Sequence, residues 1–345
     1  MISVLLRFIF ILICIFLIVV YTKEKRKSYK KILLYSLLIF ISLVSAYRIY
    51  IFPDNFGADY MEYQRWFAFT DFSNFNFAYK NFGFNLLICI VKLFSENFQV
   101  FLFVCALIIN YSVLKFIKRY SSNHSVSLVV YLSLFLFSTF NGLRQWLACS
   151  IFLFSFSYIQ KKSFWKFALL IFIASLFHDT ALLLILLYPI FIKKHNFYFS
   201  EFVTIAISLI LFIFCDQFVE ILSSICEIFG VDYFSKYTID YLISQSGNYT
   251  PFIISISVLV LNTLYYSKSK SALISDNVMT YYFLLTIPMA LLASRNGIFN
   301  RYLIYFFSSI SINITYFLKA FDKKSQEAVS NFIILILVAK FTFFN

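Results

Sequence analysis

The chain has 345 residues, of which 61% are hydrophobic and only 13% charged, with 48 Phe and a mean hydropathy of +0.84. That composition excludes a soluble globular protein and leaves no stretch polar enough for a separate soluble domain. The net charge of +13 calls for no nucleic-acid partner, because the basic residues fall in short clusters between apolar runs.

Long apolar runs recur from Val4 to Phe344 without the alternation of a membrane β-barrel, so the backbone amides can pair within lipid only as helices. The expected fold is all-α: a polytopic membrane helical bundle forming a single integral membrane domain over 1–345. Met1 to Val20 is an apolar run too long for a signal peptide and followed by no Ala-x-Ala-like site, which makes it a first span. Basic clusters lie at Lys23–Lys31, Lys115–Arg119, Lys161–Lys166, Lys193–Lys194, Lys268–Lys270 and Lys319–Lys324. Placing all of them on the cytoplasmic side gives about 12 spans, at 3–21, 32–51, 98–117, 126–140, 143–160, 164–178, 181–193, 200–215, 251–267, 278–294, 299–318 and 328–344. Under that assignment 19 of the 29 Lys and Arg residues lie inside and 11 of the 16 Asp and Glu residues outside.

Phe82–Phe94 is short for a span and contains Lys92. It is expected as a re-entrant or interfacial helix within one outer loop, 52–97. The second outer loop, 216–250, interleaves Asp216, Glu220, Glu227, Asp232 and Asp240 with Phe218, Ile221, Ile225 and Ile228, the pattern of an amphipathic surface helix. The six cysteines are scattered, mostly within apolar runs, and read as small core residues.

The polar residues that break the apolar pattern gather on the outer side. Asn141, Gly142, Arg144 and Gln145 stand at the start of one helix, and His178 at the end of the next. A short turn at Lys161–Lys162 makes these helices antiparallel neighbours, so Arg144 and His178 can share a site. Each has a plainer reading: Arg144 as an arginine snorkelling to headgroups, His178 as a satisfied structural histidine, and Asp179 with Thr180 as caps of a helix beginning near Ala181. Asp59, Tyr60, Glu62, Tyr63 and Trp66 form a further cluster, which reads equally as a solvated surface helix with a Glu62–Arg65 pair. Arg295, Arg301 and Tyr302 lie in a late turn, again outside. Arginine forks suit phosphate oxygens and aromatic faces suit sugar rings. No metal-ligand cluster, Walker loop or dinucleotide fingerprint is present, which leaves no metal or other cofactor and implies a substrate activated before it arrives.

These residues carry a resemblance. Asp59-Tyr60-x-x-Tyr63, Gly83-Phe84-Asn85-Leu86-Leu87 before Asn97-Phe98-Gln99, Phe116-Ile117-Lys118-Arg119-Tyr120-Ser121, Arg144-Gln145-x-x-Ala148, Ala174-x-x-Phe177-His178 and Arg301-Tyr302 resemble the EpsG branch of the Wzy-type polysaccharide polymerases. The chain departs from that pattern at Phe84, where Tyr commonly follows the glycine, and in its Phe-rich helices. The resemblance implies a metal-independent, multi-span glycosyltransferase of the bacterial cytoplasmic membrane, with its active site on the extracytoplasmic side. It would build O-antigen, capsule or exopolysaccharide by moving a chain from polyprenyl pyrophosphate onto a new lipid-linked oligosaccharide repeat, with inversion. It further implies Arg144, with Arg295 or Arg301, on the pyrophosphate, and His178 as base or phosphate contact with Asp59 or Glu62 as the alternative base. Tyr60, Tyr63 and Trp66 would hold sugars, and Asn141, Gln145 and Tyr302 would line the site. A chain-length regulator, a flippase and membrane lipid are the implied partners. Other readings are an O-antigen-ligase-like transferase, a lipid-linked oligosaccharide flippase or transporter, and a membrane O-acyltransferase with an embedded histidine.

Overall fold

The computed structural model describes residues 2–54, 56–73, 81–192, 197–228, 247–268 and 277–343. Among them every regular element is helical, as expected of a backbone that must satisfy its own amides in lipid. Among the described residues six helices are long and apolar enough to cross a membrane: Ser3–Lys23, Lys27–Ala46, Phe98–Tyr120, Val278–Arg295, Asn300–Ala320 and Lys323–Phe343. A seventh is reached if Ser200–Ile213 and Cys215–Ile221, bent by 82°, count as one span.

Much of the remaining apolar sequence forms shorter or irregular helices. The segment expected at 126–140 begins as His124–Val130, becomes a π-helix over Tyr131–Phe135 and ends as a 3₁₀ turn at Phe137–Thr139. Bonds to other helices hold this stretch, one of them on a backbone carbonyl that the regular ladder would otherwise use. Tyr131 Oη donates to Asn110 Oδ1 at 2.6 Å, Asn110 Nδ2 donates to Ser42 Oγ at 3.2 Å, and Lys340 Nζ donates to the Ser133 carbonyl at 3.2 Å. The segment expected at 181–193 starts at Asp179 as a 3₁₀-helix to Leu187, with His178 in the cap position and no side-chain cap bond, and continues as Tyr188–Ile192. With a rise of about 2.0 Å per 3₁₀ residue it reaches roughly 25 Å, further than the same residues in α-helix.

The contacts divide the chain into two compact units. In the first, residues 1–188 with 321–345, the helices Ile2–Lys23, Lys27–Ala46, Phe98–Tyr120, Leu143–Gln160 and Phe164–Ser175 pack in succession. Lys323–Phe343 returns against Ile2–Lys23 and the segment beginning at His124. Lipid tails are as apolar as leucine, so helix association there depends on close packing rather than water release. Phenylalanine supplies that packing in two clusters. One links Phe10, Phe52, Phe137, Phe140 and Phe341, with ring centroids 5.1 to 6.2 Å apart. The other links Tyr60, Phe67, Phe84, Phe98 and Phe101 at 5.3 to 6.2 Å. Such pairs contribute about 0.5–1.5 kcal/mol each beyond burial.

Phe82–Lys92 has 11 residues, roughly 16 Å at the α-helical rise, against a hydrocarbon core about 30 Å thick. It is the short helix expected there, and it leans on Phe98–Tyr120. Five cysteines, Cys14, Cys89, Cys105, Cys149 and Cys215, are buried free thiols.

The second unit, residues 189–320, holds Thr286–Arg295 and Asn300–Asn313, joined by a 3₁₀ turn at Gly297–Phe299. Asn277–Leu284 stops at Leu285 because Pro288 has no amide proton and its ring crowds the Leu284 carbonyl. Thr286 bridges the break: its hydroxyl contacts the Tyr282 and Phe306 carbonyls at 3.2 and 3.1 Å and Ser309 Oγ at 2.7 Å. The turned helix Cys215–Ile228 is the expected start of the amphipathic segment, with Cys215 and Val219 buried in the apolar cluster. The side chains from 225 to 246, Asp232 and Asp240 among them, lie outside the described residues.

Candidate functional site

Leu143–Gln160 begins at Gly142, whose φ of 52° and ψ of 36° place it in the left-handed region. The Gly142 amide donates to Asp59 Oδ2 at 3.2 Å, so a carboxylate sits at the positive end of that helix. Asp59 is also the N-cap residue of Tyr60–Phe69. One carboxylate thereby joins the starts of two helices far apart in sequence.

Arg48, which the sequence reading passed over, fixes the same junction. Its guanidinium is 2% exposed and donates from Nε to the Phe56 carbonyl at 2.7 Å, from Nη1 to Ser45 at 2.9 Å and from Nη2 to Phe140 at 3.4 Å. It also lies over the Tyr60 and Phe140 rings, at 5.2 and 5.1 Å. Burial pushes it down to about 10, opposed by Tyr60, which leaves it cationic at neutral pH. Arg48 thus ties the loop carrying Asp59 to the loop preceding Arg144, just beyond the Lys27–Ala46 span.

Gly57 lets those loops meet. Its φ is +104°, and a Cβ there would stand 2.8 Å from the Phe140 carbonyl oxygen and 3.0 Å from Asn141 Oδ1. Gly57→Ala is expected to destabilise the protein by about 1–3 kcal/mol, more than Gly142→Ala, where the left-handed conformation costs about 1–2 kcal/mol. Thermal unfolding of the two detergent-solubilised variants checks the order.

Arg144 points back onto Tyr60–Phe69. Its guanidinium carbon lies 4.7 Å from the Trp66 ring centroid, and it stands beside the Tyr63 phenol. Burial raises the Tyr63 phenol above its usual value, Arg144 pulls it back and Asp59 adds to the rise. Arg144 is half-buried, its Nε has no hydrogen-bond partner, and it makes no ion pair among the described residues. Next to it, Gln145 is 3% exposed with an unpartnered Nε2. Asn141 is exposed.

Trp66 Nε1 donates to Asn85 Oδ1 at 2.8 Å, and Asn85 belongs to Phe82–Lys92. The start of that helix is bonded to the end of Phe164–Ser175 through the Gly83 amide and the Leu176 carbonyl, at 2.8 Å. A Cβ at Gly83 would lie 2.9 Å from the Phe177 ring. The residue after Phe177 is His178, half-buried, with Nδ1 2.7 Å from Thr180 Oγ1. A chain of contacts thus runs from Arg144 through Trp66, Asn85 and Gly83 to Leu176, two residues before His178. Asp179 is exposed and Thr180 buried, so the threonine faces the histidine rather than capping a helix at Ala181.

The expected sugar-holding tyrosines are in the core. Tyr60 is 2% exposed, with its hydroxyl accepting from Gln99 Nε2 at 2.7 Å, and Tyr63 is 4% exposed. Glu62 and Arg65 are exposed on the opposite side of their helix.

In the second unit Arg295 Nη2 donates to Asp216 Oδ2 at 2.6 Å and Nη1 to the Phe212 carbonyl at 3.1 Å. Arg301 and Tyr302 are partly buried at the start of Asn300–Asn313, with Tyr302 packed against the apolar cluster. Among the described residues no three His, Cys, Asp or Glu side chains could hold a metal ion together.

The fold is that of a multi-pass helical membrane protein, in which a half-buried arginine without an ion pair among the described residues rests on an aromatic ring. The sequence model of the EpsG family matches residues 49–345, and the chain belongs to that family, whose members are Wzy-type polysaccharide polymerases. No curated protein and no solved structure matches the chain.

Proposed function

We propose that this polymerase extends surface polysaccharide at the outer face of the cytoplasmic membrane, by inverting glycosyl transfer from polyprenyl pyrophosphate. A hydroxyl of a lipid-linked acceptor repeat attacks the anomeric carbon of the donor chain. The bond from that carbon to the pyrophosphate oxygen breaks, the pyrophosphate leaves as an anion, and the hydroxyl proton passes to a base.

The observation that carries this reading is Arg144: a half-buried guanidinium braced on Trp66, without an ion pair among the described residues and with an unpartnered Nε. A positive group so placed stabilises charge that grows on a leaving phosphate, and it costs no reorganisation at the moment of reaction. His178 is the assigned base, 2.7 Å through Nδ1 from Thr180 Oγ1: in the tautomer in which Nδ1 donates to that hydroxyl, Nε2 is the nitrogen that takes the proton. Asp59 is occupied with the Gly142 amide and acts as an organiser. The positive-inside bias of the basic clusters supports an address on the outer side.

The test is reconstitution. Purified protein in vesicles, given defined lipid-linked repeat units, is expected to yield a ladder of chain lengths and to release one polyprenyl pyrophosphate per bond formed. Transfer of a finished chain to an unrelated acceptor, with no ladder, would instead show a ligase.

A further inference from the structure

The helix Tyr60–Phe69 has a second working face. Tyr63 and Trp66 turn toward Arg144, whereas Gln64, Phe67 and Ala68 line a separate cavity of about 710 Å³. That volume lies within the roughly 300–1,000 Å³ of small-ligand sites. The same cavity is lined by Tyr47 and Tyr50, exposed by 45% and 72% with ring centroids 6.5 Å apart, and by Lys92, Glu96, Asn97 and Gln99.

We propose that this cavity is a saccharide subsite, holding sugars of the lipid-linked chain next to the reacting one. The inference rests on the polymerase reading above. Two exposed phenol rings offer faces for the C–H side of pyranose rings. The exposed carboxamide of Gln64 offers both donors and an acceptor for hydroxyls. Gln99 stands behind that surface: its Oε1 is buried without a hydrogen-bond partner among the described residues, and its Nε2 donates to Tyr60 Oη at 2.7 Å, which fixes the cavity lining to the helix. The cavity's cation is already spoken for: Lys92 Nζ lies 3.8 Å from Glu96, donates to the Ala68 carbonyl at 3.2 Å and sits 5.0 Å from the Phe67 ring centre. The lining therefore carries a paired charge rather than a free cation, which suits a polyhydroxylated ligand better than a phosphate. The Gln99–Tyr60 bond connects the cavity wall to the helix whose other face touches Arg144, so one rigid element serves both places.

The experiment uses the full-length protein in nanodiscs and, as probe, lipid-free oligosaccharides made by partial acid hydrolysis of the cell's own surface polysaccharide. Binding is followed by saturation-transfer NMR and equilibrium dialysis. Wild type and Arg144→Ala are expected to bind the fragments alike. Tyr50→Ala and Gln64→Ala, both at exposed positions, are expected to bind them about tenfold more weakly, near 1.4 kcal/mol, and to make shorter chains.

Equal binding by wild type, Tyr50→Ala and Gln64→Ala overturns the proposal, as does no binding by wild type. So does a Tyr50→Ala protein that keeps the sugars but loses bound anionic lipid, which would make the cavity a headgroup site. Because the readout needs neither lipid-linked donor nor catalysis, it separates the two readings. Fragment binding without a ladder in reconstitution retires the polymerase mechanism alone, and a ladder without fragment binding retires the subsite alone.

Discussion

Arg144→Ala is expected to lower polymer formation by about 10²- to 10³-fold, the effect of removing a preorganised donor from a developing anion. Surface polysaccharide on a gel should collapse from a ladder to a single-repeat band, with protein abundance unchanged. Stability should change little. The side chain makes no ion pair among the described residues, and its contact with Trp66 contributes about 0.5–1 kcal/mol at a partly exposed position. Activity and folding are therefore separable at this residue. Arg144→Lys retains the charge but loses the planar fork, so an intermediate loss is expected, with short chains persisting. A normal ladder from Arg144→Ala at normal abundance would remove Arg144 from the reaction, and the proposed leaving-group stabilisation with it.

The elements that were legible in the sequence are those where one local rule decides. The helix Phe82–Lys92 was readable because the apolar run Phe82–Phe94 is too short to cross a bilayer and contains Lys92. The packing of Leu143–Gln160 against Phe164–Ser175 was readable because two helices joined by a tight basic turn must be antiparallel. The irregular stretch from Tyr131 to Thr139 was not, since it follows from bonds to Asn110 and Lys340, which lie on other helices. The burial of Tyr60 and Tyr63 was missed for a similar reason. An i, i+3 pattern places both on a helix but does not say that Phe84, Phe98 and Arg48 close over them. Asn85 and Arg48 were hidden within apolar segments. The available signal at Arg48 was a lone charge between Ala46 and Pro53 with no acidic neighbour in the helix, a pattern that calls for carbonyl acceptors.

Arg48→Ala is expected to cost about 3–5 kcal/mol of stability, the range for breaking a buried charge network by deleting one member. Three carbonyls, of Ser45, Phe56 and Phe140, lose a cationic donor at once, and water has little access to replace it at a site 2% exposed. For a protein of this size each kcal/mol shifts the unfolding midpoint by about 2–4 °C, so thermal unfolding in detergent should show a fall of about 10 °C. Arg48→Met preserves most of the apolar stem and removes only the charge, and it should fall almost as far if the carbonyl bonds matter more than volume. Arg48→Lys can serve one carbonyl and should lie between. The link to function is the junction itself. Without Arg48 the Phe56–Asp59 loop and the Phe140–Gly142 loop lose their common tie, the Asp59 bond to the Gly142 amide loosens, and Arg144 is no longer held over Trp66. Polymer length should therefore drop for Arg48→Met and Arg48→Lys below their unfolding temperatures, where the chain is still folded. A midpoint within about 1 °C of wild type for Arg48→Ala, together with a normal ladder, would show that the junction holds without its arginine.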